Sequence, residues 1–300
     1  MLTRTRLSRC RSILGALGLV LALGGACKDR STIPPEDGGK NPGAAAGAKN
    51  AAGITVRYKI GAQKLRKDVK GTMRITSTQG GATITADLSG TLDITDNGDG
   101  NLKVAFAVSD VREFKTEGGP PPKEGTPDPK EQLKGATGAF VVNDRGEEDE
   151  AKSGALPENA NKDEQDPSAQ AAGLLSLPEL PELALEVGKP IKKEEQKDVP
   201  SPAGIKIPTD FELTYTLLSV DESAGARIAT IKIETDGSGA VEHPQAGMID
   251  MSVSGEQTVK FNLDTQLPIS ASVQNTSSIN FGTQGSAEFA LQFDSTFSAT

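Results

Sequence analysis

Between Thr83 and Thr95 the chain alternates with a period of two. Ile84, Ala86, Leu88, Gly90, Leu92 and Ile94 take turns with Thr83, Thr85, Asp87, Ser89, Thr91, Asp93 and Thr95. Successive side chains of an extended chain point to opposite faces, so this pattern predicts a strand with one dry side and one wet side. The flanking segments keep the period. Val69, Gly71, Met73 and Ile75 alternate with Lys70, Thr72, Arg74 and Thr76, and Leu102, Val104, Phe106 and Val108 form the next apolar row. Between these rows, QGG (79–81) and DNGDGN (96–101) supply the positive-φ residues of tight hairpins. DNGDGN lacks both the D-x-[DN]-x-[DN] spacing and the twelfth-position glutamate of a calcium loop, so it is read as a turn.

The far half repeats the style. Ile249, Met251 and Val253, then Val259, Phe261 and Leu263, then Ile269, Ala271 and Val273 alternate with polar residues. The last row holds Phe289, Leu291, Phe293 and Phe297, and two further strands are expected near Phe211–Val220 and Arg227–Glu234. Between the halves the pattern collapses. Residues 115–135 are proline-rich and cannot enter the middle of a ladder. Residues 143–167 carry nine acids against three bases and read as a solvated loop. Only residues 168–186 can form helix, and Pro178 and Pro181 limit it to a short piece near 168–177.

One-sided strands need cover, and this chain has little helix to give. The sheet must curl on itself or pack against another sheet. The expectation is therefore a mainly β protein of antiparallel meanders. They form either a curved sheet or half-barrel, with Leu174–Leu185 as a plug, or two packed β subdomains, with one short helix in the middle. The divisions expected are an N-terminal β-meander at 54–142, an acidic, proline-rich insertion at 143–204 and a C-terminal β-meander at 205–300.

Residues 1–53 differ from this body. Arg4, Arg6, Arg9 and Arg11 precede an eleven-residue apolar run, Ile13 to Leu23, and then Gly24-Gly25-Ala26. A basic start, a short hydrophobic centre and a small-residue exit make a secretory signal, expected at 1–26. The apolar run is shorter than the roughly 20 residues that span a bilayer. Leu23-Gly24-Gly25-Ala26-Cys27 resembles the bacterial lipobox, with leucine one place early and Gly24 in the aliphatic slot. Gly24 and Ala26 also suit an ordinary signal-peptidase cut, so two readings stand: Cys27 as a lipid-carrying first residue, or as a thiol. Cysteine arithmetic favours the lipid. Cys10 leaves with the leader, and an exported chain keeping Cys27 alone has no internal partner to oxidise it. The expected processing site is Ala26/Cys27, with Cys27 the lipid attachment point.

Residues 27–53 are rich in glycine, alanine and proline and read as a flexible tether. Its 26 residues from Lys28 to Gly53 span roughly 28 Å as a coil and about 90 Å fully stretched. The whole resembles a group of bacterial lipoproteins with a lipobox, a low-complexity tether and a β-rich body. Their second half often opens near a VGDxW-like stretch; here it is Val187-Gly188-Lys189-Pro190-Ile191, without the acid or the tryptophan. In architecture the chain is also similar to periplasmic carriers of lipoproteins and lipids. The resemblance implies a membrane-anchored protein of the cell envelope, on the outer-membrane or periplasmic side, and implies no activity.

Charge narrows the partners. Removing residues 1–26 takes away four arginines and no acid, moving the formal charge from −9 to −13. Such a body repels nucleic acid and anionic headgroups alike. The chain has no tryptophan and only Tyr58 and Tyr215, few platforms for stacking sugars. Catalytic chemistry finds little to work with. His243 is the only histidine, so an imidazole-rich metal site cannot be built, and a triad would have His243 alone for its base, in a turn beside Pro244. There is no G-x-S-x-G, C-x-x-C or phosphate-loop motif. Glu147, Glu148, Asp149 and Glu150 read as solvated charge rather than a calcium site. Neither catalysis nor a cofactor is expected. Two functions remain: a binding module for a lipid or other hydrophobic ligand, and a tethered scaffold presenting loops to envelope proteins.

Overall fold

The computed structural model describes residues 53–78, 80–119, 127–156, 166–201, 205–223, 225–244, 246–282 and 285–300. The expected signal, the tether and Cys27 lie outside the described residues. Among the described residues no helix is long and apolar enough to cross a membrane.

Ten strands form one antiparallel sheet: β1 (Gln63–Ser77), β2 (Gly80–Gly98), β3 (Asn101–Gly118), β4 (Thr137–Asn143), β5 (Ile191–Pro200), β6 (Lys206–Ser223), β7 (Ala226–His243), β8 (Gly247–Asn262), β9 (Leu267–Asn280) and β10 (Ser286–Ala299). Their order is β4-β3-β2-β1-β10-β9-β8-β7-β6-β5. The first meander therefore runs outward from β1, and the second runs back from the opposite edge until β10 reaches β1. The two zip together from Leu65↔Ala299 to Ser77↔Ala287. Of the two arrangements left open by the sequence, the single curved sheet is the one observed. One apolar core runs under both meanders, from Phe106 and Phe140 to Phe211 and Phe261.

Local chemistry explains the turns and the curvature. At the β2–β3 hairpin Gly98, Asp99 and Gly100 have φ of 77°, 51° and 82°, the left-handed region DNGDGN is suited to enter. Register shifts put an extra residue in β3 opposite Ser89/Gly90, in β6 between Leu217 and Ser219, and in β9 opposite Lys260/Phe261, and these bulges add coil to long strands. Close packing inside helps the bend: a Cβ on Gly71 would sit 2.5 Å from the Phe293 ring on the neighbouring strand.

Among the described residues three short helices lie between strands β3 and β5, where one was expected: α1 (Pro129–Leu133) before β4, and α2 (Glu150–Gly154) and α3 (Pro167–Leu175) after it. Each follows an aspartate whose carboxylate caps the first turn, and α1 and α3 add proline at the first helical position. Asp128-Pro129 and Asp166-Pro167 were thus readable start signals.

The stretch expected to be a solvated insertion also contains structure. Glu147 and Ser153 are buried, and α2 covers the β4 edge: the Val141 amide donates to Ser153 Oγ at 2.9 Å and the Asp149 amide to the Val141 carbonyl at 2.8 Å. β5, the opposite edge, lies wholly within residues 143–204.

The sheet does not close through hydrogen bonds between β4 and β5. A strap crosses the gap at one end. The Tyr58 amide donates to the Asp144 carbonyl, the Leu180 amide to the Arg145 carbonyl, and the Gly188 amide to the Leu217 carbonyl on β6, at 2.7, 2.8 and 2.8 Å. The Tyr58 hydroxyl donates to the Pro178 carbonyl at 2.7 Å, and its ring meets Phe261 edge-on at 5.6 Å. Residues 53–58 thereby tie the turn after β4 to the far meander.

Candidate functional site

The inner face of the curved sheet is the large apolar surface that the described strands create, and its cover is thin. Leu65, Val69 and Met73 of β1, Leu88 and Leu92 of β2, and Val104, Phe106 and Val108 of β3 point into it and are buried. Helix α3 lies against β1, β3 and β4. Leu174 and Leu175 at its end, and Leu177, Leu180 and Leu185 in the irregular stretch after it, fill the concavity. The expected plug is therefore present. Its seat is shaped for it: a Cβ on Gly90 would lie 2.6 Å from a Leu175 methyl. A nine-residue helix followed by an aperiodic segment is weak cover compared with a second sheet.

Charged groups sit inside as well. On β5 the inward positions are Lys193, Glu195, Lys197 and Val199, while Lys192, Glu194, Gln196 and Asp198 face solvent. Lys193 Nζ is 2.8 Å from Glu195 and 4.0 Å from Glu147, whose carboxylate also accepts from Arg145 at 2.6 Å and Asn143 at 2.8 Å. Lys197 Nζ meets the other Glu195 oxygen at 2.5 Å, with 7% and 10% of the two side chains exposed. Burial pushes the Glu195 carboxyl up, but Lys197 and Lys193 outweigh it and hold it below the usual range. This chain of ion pairs spans from β5 to the turn after β4, so it clasps the two sheet edges together.

Glu179 of the strap faces the same cluster. Burial pushes its carboxyl up to about 7; Glu195 and Glu147 add to the rise, and Lys197 and Lys193 oppose it. Lys67, inward on β1, is the other displaced group. Burial pulls its ammonium down to about 7.

The outer face is polar. Thr72, Gln292, Gln274, Glu256 and Glu234 stand in one row across β1, β10, β9, β8 and β7 and line a shallow open groove. Such a surface offers hydrogen bonds but no apolar grip.

The residues singled out from sequence do not converge on a reaction. His243 ends β7 opposite Gly247, at a hairpin. Glu147 is bound into the edge clasp, while Asp149 caps α2. Among the described residues no group of three or more His, Cys, Asp or Glu could hold a metal ion. Cys27 lies outside the described residues. The sequence reading missed Lys67, Glu179 and the inner row of β5. For Lys67 a signal existed, since Leu65, Lys67 and Val69 share a parity and put a cation on a dry face. No family model, curated protein or solved structure matches this chain.

Proposed function

We propose that the protein is a non-catalytic binding module of the bacterial cell envelope, tethered to a membrane by lipid on Cys27, whose half-barrel takes up a lipid or other hydrophobic ligand. The observation that carries this reading is the cover of the concave face: α3 and residues 176–185 rather than a second sheet. Residues 176–180 have no helix or strand of their own, so moving them breaks few backbone bonds and opens an apolar hollow. Acyl chains on Cys27 bury at about 0.8 kcal/mol per methylene, and more than one chain gives lasting anchorage. The 26-residue tether leaves the half-barrel clear of the headgroups, free to meet a ligand.

Mass spectrometry of the full-length protein, extracted from membranes with mild detergent, tests both parts. Under denaturing conditions wild type should carry a covalent diacylglycerol mass that Cys27→Ala lacks. Under native conditions both should retain non-covalent lipid. Bare protein in both native spectra would count against the carrier and favour the tethered scaffold. Denatured masses that differ by no more than the sulphur atom the substitution removes would remove the anchor.

A further inference from the structure

Among the described residues one interior cation has no carboxylate beside it. Lys67 is 6% exposed, on the inward face of β1 between Leu65 and Val69. Its cross-strand neighbours are Phe297 on β10 and Gly90 on β2. The ammonium donates to the Ser176 carbonyl at 2.6 Å and lies 5.3 Å from the centre of the Phe297 ring. Among the described residues no carboxylate is paired with it. Lys193 and Lys197, by contrast, share Glu195.

An ammonium has three hydrogens to donate, and Lys67 has one carbonyl and one ring face. Burying such a charge without a counter-ion is expensive, and the methionine-like stem alone would fill the same space without that cost. The position of the one acceptor is informative. Ser176 is the residue at which α3 ends and the irregular part of the plug begins. Directly beside it, Leu175 fills the space above Gly90. The carbonyl of the plug therefore stands where an anion would be most stabilised, and the Leu175 side chain stands where a hydrocarbon chain would enter.

Resting on the binding-module reading above, we infer that the ligand is a long-chain amphiphile with an acidic head group, whose carboxylate or phosphate replaces the Ser176 carbonyl on Lys67 while its chain replaces the leucines of the plug. The exchange is balanced in kind. A partial negative charge gives way to a full one at the buried ammonium, and one set of apolar side chains gives way to another apolar surface. A neutral lipid of equal length gains only the second half.

The experiment is a competition read by native mass spectrometry. Full-length protein in nonionic micelles, first stripped of non-covalent lipid, is offered palmitate and hexadecanol at equal concentration, which share a chain length and differ in the head. Wild type should favour palmitate by tenfold or more. Lys67→Met should bind both equally, and Lys67→Arg should keep a preference for palmitate. Acetate in large excess should displace neither. Equal binding by wild type, or a palmitate preference that survives in Lys67→Met, overturns the head-group assignment and leaves the carrier reading standing. Displacement by acetate shows a simple anion site and also overturns it. Binding of neither probe sinks the carrier reading and this inference with it.

Discussion

Lys67 and Glu179 are the two described side chains whose protonation burial moves close to neutrality, and they push stability in opposite directions along the pH axis. Glu179 keeps its proton in the folded protein up to about 7, where the unfolded chain loses it near 4.5. Folding is favoured in full below the unfolded value, and that contribution drains away as pH rises from about 4.5 through 7. Lys67 is the mirror case. Its folded value of about 7 lies below the unfolded 10.5, so its contribution is complete above 10.5 and is lost as pH falls through 7. Together they predict a shallow trough in stability near neutral pH. Urea unfolding across pH 4 to 11 should show it. Glu179→Gln should flatten the acid limb and Lys67→Met the alkaline limb, each leaving the other. A wild-type curve that peaks at neutrality, unchanged in either variant, would show that neither side chain is held as described.

At the scale of elements, the plug is held by leucines more than by backbone. Leu175 is fully buried against Gly90, so Leu175→Ala should destabilise the protein by about 2–5 kcal/mol in urea unfolding, because the sheet beneath cannot collapse into the hole. The same change should strengthen binding of a hydrophobic probe, since it weakens the competitor for the hollow. Which elements the sequence revealed follows from the same physics. Strands with one dry face, such as β2 and β10, announce themselves by alternation. β5 does not: Ile191–Pro200 is charged on both faces, and while Lys193 and Lys197 share Glu195 within the strand, the tie that draws this edge inward runs from Lys193 to Glu147 in the turn after β4, far away in sequence. No window of the chain contains that pairing. α3 was legible from Asp166-Pro167 and the apolar run after it, although the short α1 and α2 had the same capping aspartate and were passed over. Glu179 had no periodic context at all, lying between prolines in the strap. Lys67 was the readable part of the site, a single wrong-sided residue in an otherwise regular strand.

For the whole molecule, the decisive feature is that ten strands are arranged as one open sheet rather than a closed barrel or a sandwich. An open curl leaves its two edges to be joined by other means, and here the joining is done by an ion-pair clasp and a strap of irregular chain. Both can be undone without unzipping any strand pair, so the sheet can stay rigid while its cover moves. The central claim is that a hydrophobic ligand enters by displacing that cover. Hydrogen exchange on the full-length protein, with and without palmitate, tests it most directly. The account predicts faster exchange at amides of residues 174–185, including Leu180 and Leu185 whose strap bonds must loosen, with protection of β1, β2 and β10 unchanged or increased. Added palmitate that leaves residues 174–185 as protected as before, or that loosens the strands equally, would contradict it.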